Sequence, residues 1–209
     1  MDFVSARSNM VESQVRTNDV TDSALVDAMR SLPRERFCPP GREHLAYAEA
    51  EIEYAPGRWL LNPRDLGKLV FSARPQPGER ALAIAAPYAA AVLAHMGLAV
   101  TALEPEAHEA RARAALADTG VEVTGGDLRR PPAGPYDVIV AEGSVDRAPE
   151  AWIEALAPGG RLAVVERVGA LGKAQLYLRS PEGVVGRRTT FDATPPFIEG
   201  LEPQPAFSF

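Results

Sequence analysis

The sequence predicts an α/β protein built on a mostly parallel sheet, and three observations predict it. An apolar run at 80–85 passes through a tight turn into an alanine-rich stretch at 87–96. From there, apolar runs of strand length alternate with stretches of helix length, which implies right-handed crossovers and a sheet covered on both faces. After Gly172 two β-prone runs, 174–179 and 184–191, flank Ser180-Pro181-Glu182-Gly183, so the sheet should end in an antiparallel hairpin.

The individual elements follow in order. Residues 7–31 read as two short helices, the second capped from the Asp19 to Asp22 region and carrying Leu25, Val26, Ala28, Met29 and Leu32 on one face until Pro33 stops it. Residues 33–57 hold four prolines and two glycines and read as an irregular segment draped over a core. Pro63 suits the first turn of a helix that the Pro75-Gln76-Pro77-Gly78 punctuation ends. Strands are then expected at 80–85, 99–103, 121–124, 136–141 and 160–166, with helices at 87–96, 106–118 and 149–156. The tail from Ala193 is rich in proline and phenylalanine and would be pinned by Phe197, Phe207 or Phe209. Residues 1–78 thus form a helical and irregular segment packing on an α/β domain at 79–209, one structural unit overall.

Composition narrows the function classes. The chain has 209 residues, 46% hydrophobic and 24% charged, the balance of an ordinary globular protein. Its net charge of −6 and the lack of basic runs beyond Arg129-Arg130 and Arg187-Arg188 argue against a phosphate-backbone binder, so no nucleic acid is expected. No apolar run is long enough to span a bilayer, and a cytoplasmic protein without membrane attachment is expected. Cys38 is the sole cysteine and reads as a small buried hydrophobe. His44, His95 and His108 lack metal-ligand spacing, so no metal is expected. Ser144 lacks the flanks of a nucleophile elbow.

The first strand–turn–helix unit is where such domains hold nucleotide-like cofactors, and Glu104 lies about twenty residues past the turn, where an acid meets ribose hydroxyls. The turn itself carries Ala85, Ala86 and Pro87 and no glycine. An alanine forced into the left-handed region costs roughly 1–2 kcal/mol, and Pro87 removes an N–H that could face a ligand.

Glu104, Gly125-Gly126-Asp127, Tyr136-Asp137-Val138-Ile139-Val140 and Leu156-Ala157-Pro158-Gly159-Gly160, in that order, resemble the class I S-adenosylmethionine-dependent methyltransferases. That resemblance implies a Rossmann-like, seven-stranded sheet. Val11-Glu12-Ser13-Gln14-Val15-Arg16, Pro33-Arg34-Glu35-Arg36-Phe37 and Ala46-Tyr47 narrow it to the protein-L-isoaspartate O-methyltransferase family over nearly the whole chain. The resemblance implies S-adenosylmethionine as cofactor, with Glu104 on the ribose side, Asp127 on the adenine side, and Ala85 and Tyr88 in the loop. It also implies an isoaspartyl-containing protein substrate.

Two departures shape the functional expectation. Matching Tyr88 to the family's loop tyrosine leaves Ala83 at its acid, Ala85 and Pro87 at its glycines, and the loop about two residues, or roughly 7 Å of reach, short. Matching the family's threonine-hydrophobe-serine-x-proline element to Pro63 puts Leu61 at the serine and Trp59 at the threonine, so no catalytic residue is assigned. The expectation is a degenerate member, impaired or lost in methyl transfer, that acts by binding a protein partner. The alternatives are an active carboxyl methyltransferase and a binder of another small molecule, and a homodimer is left open. Trp59, Leu60 and Leu61 form either an exposed patch for that partner or a plug in the vacated pocket.

Overall fold

The computed structural model describes residues 2–204. Its chain order is α1 (Phe3–Met10), α2 (Ser23–Ser31), β1 (Ile52–Ala55), β2 (Arg58–Leu60), α3 (Pro63–Ala73), β3 (Arg80–Ile84), α4 (Pro87–His95), β4 (Ala99–Glu104), α5 (Glu106–Ala115), β5 (Glu122–Gly125), β6 (Tyr136–Val145), α6 (Glu150–Glu154), β7 (Leu156–Val168), β8 (Leu171–Arg179) and β9 (Val185–Asp192). The main sheet has the order β5-β4-β3-β6-β7-β8-β9. Its first five strands are parallel, and β8 and β9 close it antiparallel, as the sequence predicts.

Alternation along the central strands sorts side chains onto two faces. Ala81 and Ala83 of β3 join an apolar cluster with the N-terminal helices, whereas Leu82 and Ile84 join a second cluster around Trp152 of α6. Small residues on the first face let α3 and the N-terminal segment sit close to the sheet. Trp152 is a core residue, fully buried, its indole N–H donating to Leu128 O at 2.7 Å.

Local chemistry explains most boundaries. Asp22 caps α2 through Leu25 N at 2.8 Å, and Asn62 caps α3 through Asp65 N at 2.9 Å with Pro63 at its first position. The first helix starts at Phe3, four residues before the expectation, because Asp2 caps it, and it continues through a π-helical turn at Val11–Val15.

One expectation is corrected. Residues 33–57 are not irregular to their end, because Ile52–Ala55 pairs antiparallel with Arg58–Leu60. Pro56-Gly57 forms the turn, with Gly57 at φ 65°. Ile52, Tyr54, Arg58 and Leu60 are buried while Glu53, Ala55 and Trp59 are half-buried, the period of two expected of a strand pair lying on a core.

The tail returns over the C-terminal ends of the parallel strands. Phe197 bridges to Ser144, whose N–H donates to Pro196 O at 2.8 Å, and Ile198 N donates back to Ser144 O at 2.9 Å. Gly143, at φ 136°, is required there, because a Cβ would stand 2.6 Å from Ile198. Phe207 and Phe209 lie outside the described residues. No helix among the described residues is long and apolar enough to cross a membrane.

Candidate functional site

The crevice beyond the C-terminal ends of β3, β4, β5 and β6 is where an α/β sheet of this order places a ligand. Four of the candidate residues fall at or near it. Ala85, the residue after β3, is in the left-handed region at φ 48°, so the strain expected of a glycine-free turn is present in the backbone. Its N–H donates to Leu103 O at 2.9 Å, tying the turn to β4.

Glu104, the last residue of β4, has no exposed surface. Tyr54 reaches it from the β1–β2 hairpin, the phenol donating to Oε1 at 3.1 Å, with Oε2 at 3.4 Å and Ala85 O at 3.5 Å. The carboxyl edge expected from the sequence to meet a ribose therefore already holds a hydroxyl of its own chain. Burial pushes Glu104 up to about 8, against the lowering influence of the Tyr54 hydrogen bond and of Arg58. Burial likewise holds Tyr54 well above the usual phenol range.

Asp127 sits apart from this buried group. Its side chain is 56% exposed, accepts Arg129 N at 2.9 Å, and borders a cleft of about 260 Å³ with Arg58, Gly126 and Glu199. Tyr88 is wholly buried near the start of α4, packed edge-on against Phe37 at 5.4 Å and under the Arg34 guanidinium at 4.8 Å. It is a core residue here, and burial pushes its phenol up to about 12.

Two further residues organise the site, and the sequence assigns neither a role there: Glu142, and Arg34, which enters only as part of the Pro33–Phe37 motif. Glu142, in the bulge of β6, is 1% exposed. It accepts Ala89 N and Leu61 N, each at 3.4 Å. Ala86 offers no capping side chain to α4 and Pro87 has no N–H, so the Glu142 carboxylate does the work of an N-cap from a neighbouring strand. Burial pushes it up to about 7, opposed chiefly by the Arg34 charge. Arg34 is itself 0% exposed and donates to Ala46 O at 2.9 Å and to Leu61 O.

The segment at 59–61 is thus stitched into the core. Leu61 binds Glu142 through its N–H and Arg34 through its carbonyl, and Leu60 and Leu61 are both 0% exposed. This corrects the exposed-patch alternative: the two leucines fill the interior, and Trp59 alone stays half-buried on the outer side of the hairpin. No hydroxyl side chain stands at 59 or 61. Among the described residues no group of three or more His, Cys, Asp or Glu could hold a metal ion.

Two buried carboxyls with raised pKa values give a pH prediction. Between about 4.5, the unfolded value, and about 8, folded Glu104 keeps a proton that the unfolded chain releases, so stability falls as pH rises through this window. Urea titrations at pH 5.5 and 8 should show a loss on the order of 3 kcal/mol from Glu104, and Glu104→Gln should flatten that part of the slope. An unchanged slope in the variant would contradict the assignment.

Comparison with known proteins places this geometry among relatives. Residues 5–189 match the family model described as protein-L-isoaspartate(D-aspartate) O-methyltransferase (PCMT). A protein-L-isoaspartate O-methyltransferase of Methylorubrum extorquens is 36% identical over 170 residues, covering 78% of this chain and 75% of its own. That of Methylorubrum populi is 36% identical over 185 residues, covering 85% and 87%. Among solved structures, a protein-L-isoaspartate O-methyltransferase superposes with a TM-score of 0.77 over 94% of this chain and 67% of that one, at 21% identity. A Plasmodium falciparum PCMT in complex with S-adenosyl-L-homocysteine superposes with a TM-score of 0.75 over 92% and 98%, at 15% identity. The fold is that of these methyltransferases.

Proposed function

Since the chain belongs to the protein-L-isoaspartate(D-aspartate) O-methyltransferase family, we propose that it is a member whose methyl-donor pocket is closed by its own side chains and which is impaired or lost in methyl transfer. The observation that carries this reading is the Tyr54 hydroxyl seated on fully buried Glu104. A donor's ribose would have to displace that tyrosine and then pair with a carboxyl that burial keeps protonated near neutral pH.

The loop supports the same reading. Ala85 holds a left-handed conformation without glycine's freedom, and Pro87 presents no N–H to a ligand. The residues at this end of the pocket do not fit S-adenosylmethionine as they stand. On the acceptor side, Leu61 is an apolar core residue whose backbone groups are already spent on Arg34 and Glu142. A buried leucine there leaves an incoming carboxylate without hydrogen bonds worth about 1.5–3 kcal/mol each.

The second reading, an active S-adenosylmethionine-dependent isoaspartyl methyltransferase, is favoured by the names that relatives 36% identical carry. Calorimetric titration with S-adenosylmethionine separates the two. The expected outcome is no saturable binding tighter than about 1 mM, a ΔG° no better than about −4 kcal/mol. Incubation with an isoaspartyl peptide and labelled donor should give no incorporation above a protein-free control. A low-micromolar dissociation constant, or turnover at roughly 1 per second, would establish the enzyme instead.

A further inference from the structure

A cleft bordered by Tyr54 and Pro87 lies between the segment that follows Arg34 and helix α5. Its volume is about 390 Å³, within the roughly 300–1,000 Å³ of small-molecule sites. Phe37, Tyr54, Pro87, Ala112 and Ala115 make an apolar surface, and Arg36 and Arg111 stand among them. The sequence accounts for the space: α5 presents Ala112 and Ala115 on the turn facing Phe37, where larger side chains would close the gap.

Charge gives the cleft a direction. Among the described residues the Arg111 guanidinium makes one hydrogen bond, to Cys38 O at 3.3 Å, and no carboxylate lies within 4 Å of it. Arg36 is held by Asp118 at 3.0 Å, a pair whose acid is 68% exposed and so contributes little local compensation. Of the other acids near Cys38, Glu35 is engaged by the Tyr47 hydroxyl, leaving Glu43 as a further charge that Cys38 senses. An apolar cleft bordered by one paired and one unpaired guanidinium is locally complementary to a ligand with an apolar body and a single anionic head.

We propose that this cleft binds an amphipathic carboxylate, its chain or ring against Phe37, Tyr54 and the α5 alanines and its carboxylate on Arg111. The proposal does not rest on closure of the donor pocket: the cleft shares Tyr54 and Pro87 with that end of the fold, but neither Glu104 nor Asp127 lines it. It gives the chain a binding capacity of its own.

The test is calorimetric titration of the full chain with sodium decanoate, with decanol and acetate as controls. Decanoate should bind one saturable site below about 1 mM, decanol at least about tenfold more weakly, and acetate without measurable saturation. Arg111→Ala should weaken decanoate about tenfold, and Ala115→Leu, which fills the cleft, should abolish binding. Arg111 is exposed and Ala115 half-buried at the edge of the core, so circular dichroism is used to check that each variant is folded. Absence of saturable decanoate binding, equal affinity for decanol, or binding unchanged in Ala115→Leu each overturns the proposal. The methyl-donor titration is read independently, so either conclusion can fail alone.

Discussion

Arg34→Met should destabilise the folded chain by about 3–5 kcal/mol, the cost typical of removing one partner from a buried charged group. Arg34 is fully buried and bridges three parts of the fold: it donates to Ala46 O and Leu61 O and covers the Tyr88 ring. Methionine can fill much of that volume but leaves both carbonyls without a donor. It also leaves the Glu142 carboxyl without the charge that chiefly opposes its desolvation. Because Glu142 titrates near 7, the loss should sit toward the lower end of the range at pH 6, where the carboxyl can protonate, and toward the upper end at pH 8. Urea midpoints at the two pH values check this. A double-mutant cycle with Glu142→Gln should give a coupling above about 1 kcal/mol at pH 8, and strict additivity would show that the two groups do not sense one another.

The β1–β2 hairpin and Glu142 mark where sequence patterns stop being informative. The parallel sheet and its closing hairpin are legible because strands, helices and turns alternate with distinct periods and punctuation, and β3 to β9 follow from them. The β1–β2 hairpin is not legible in the sequence pattern, although Ile52, Tyr54, Arg58 and Leu60 carry the alternation and Pro56-Gly57 the turn. Each strand is only three or four residues long, and a buried arginine breaks the apolar pattern. Glu142 escaped for a related reason. A pattern of burial treats an acid as a surface residue, and only the missing cap of α4, visible as Ala86-Pro87, signalled that an acceptor had to come from elsewhere.

Glu104 shows the opposite case. Its place at the end of the second central strand was legible from spacing alone. Its state was not, because the group that covers it comes from fifty residues earlier, on the β1–β2 hairpin. Trp59, Leu60 and Leu61 divide in the same way: adjacent in sequence, they split into one outward and two inward side chains once the strand and the turn of chain after it are known.

Restoring methyl-donor binding should therefore take two changes, and neither alone should suffice. Replacing residues 83–87 with a glycine-rich turn two residues longer would relieve the strain at Ala85 and supply N–H groups in place of Pro87. Glu104 would remain covered by Tyr54, so the graft alone should fold without binding S-adenosylmethionine. Tyr54→Ala alone would uncover Glu104 but leave the strained turn in place. With both changes the carboxyl is free to accept hydroxyls, and Asp127, the residue proposed for the adenine side, remains exposed. The combined variant should move the dissociation constant from weaker than about 1 mM to the low micromolar range, a gain approaching 4 kcal/mol. Calorimetry on the parent, both single variants and the combination reads this directly. Binding by the graft alone would show that Tyr54 yields to the donor. A folded combination that still fails to bind would show that Leu60, Leu61 and the returning tail, rather than the tyrosine, occupy the pocket.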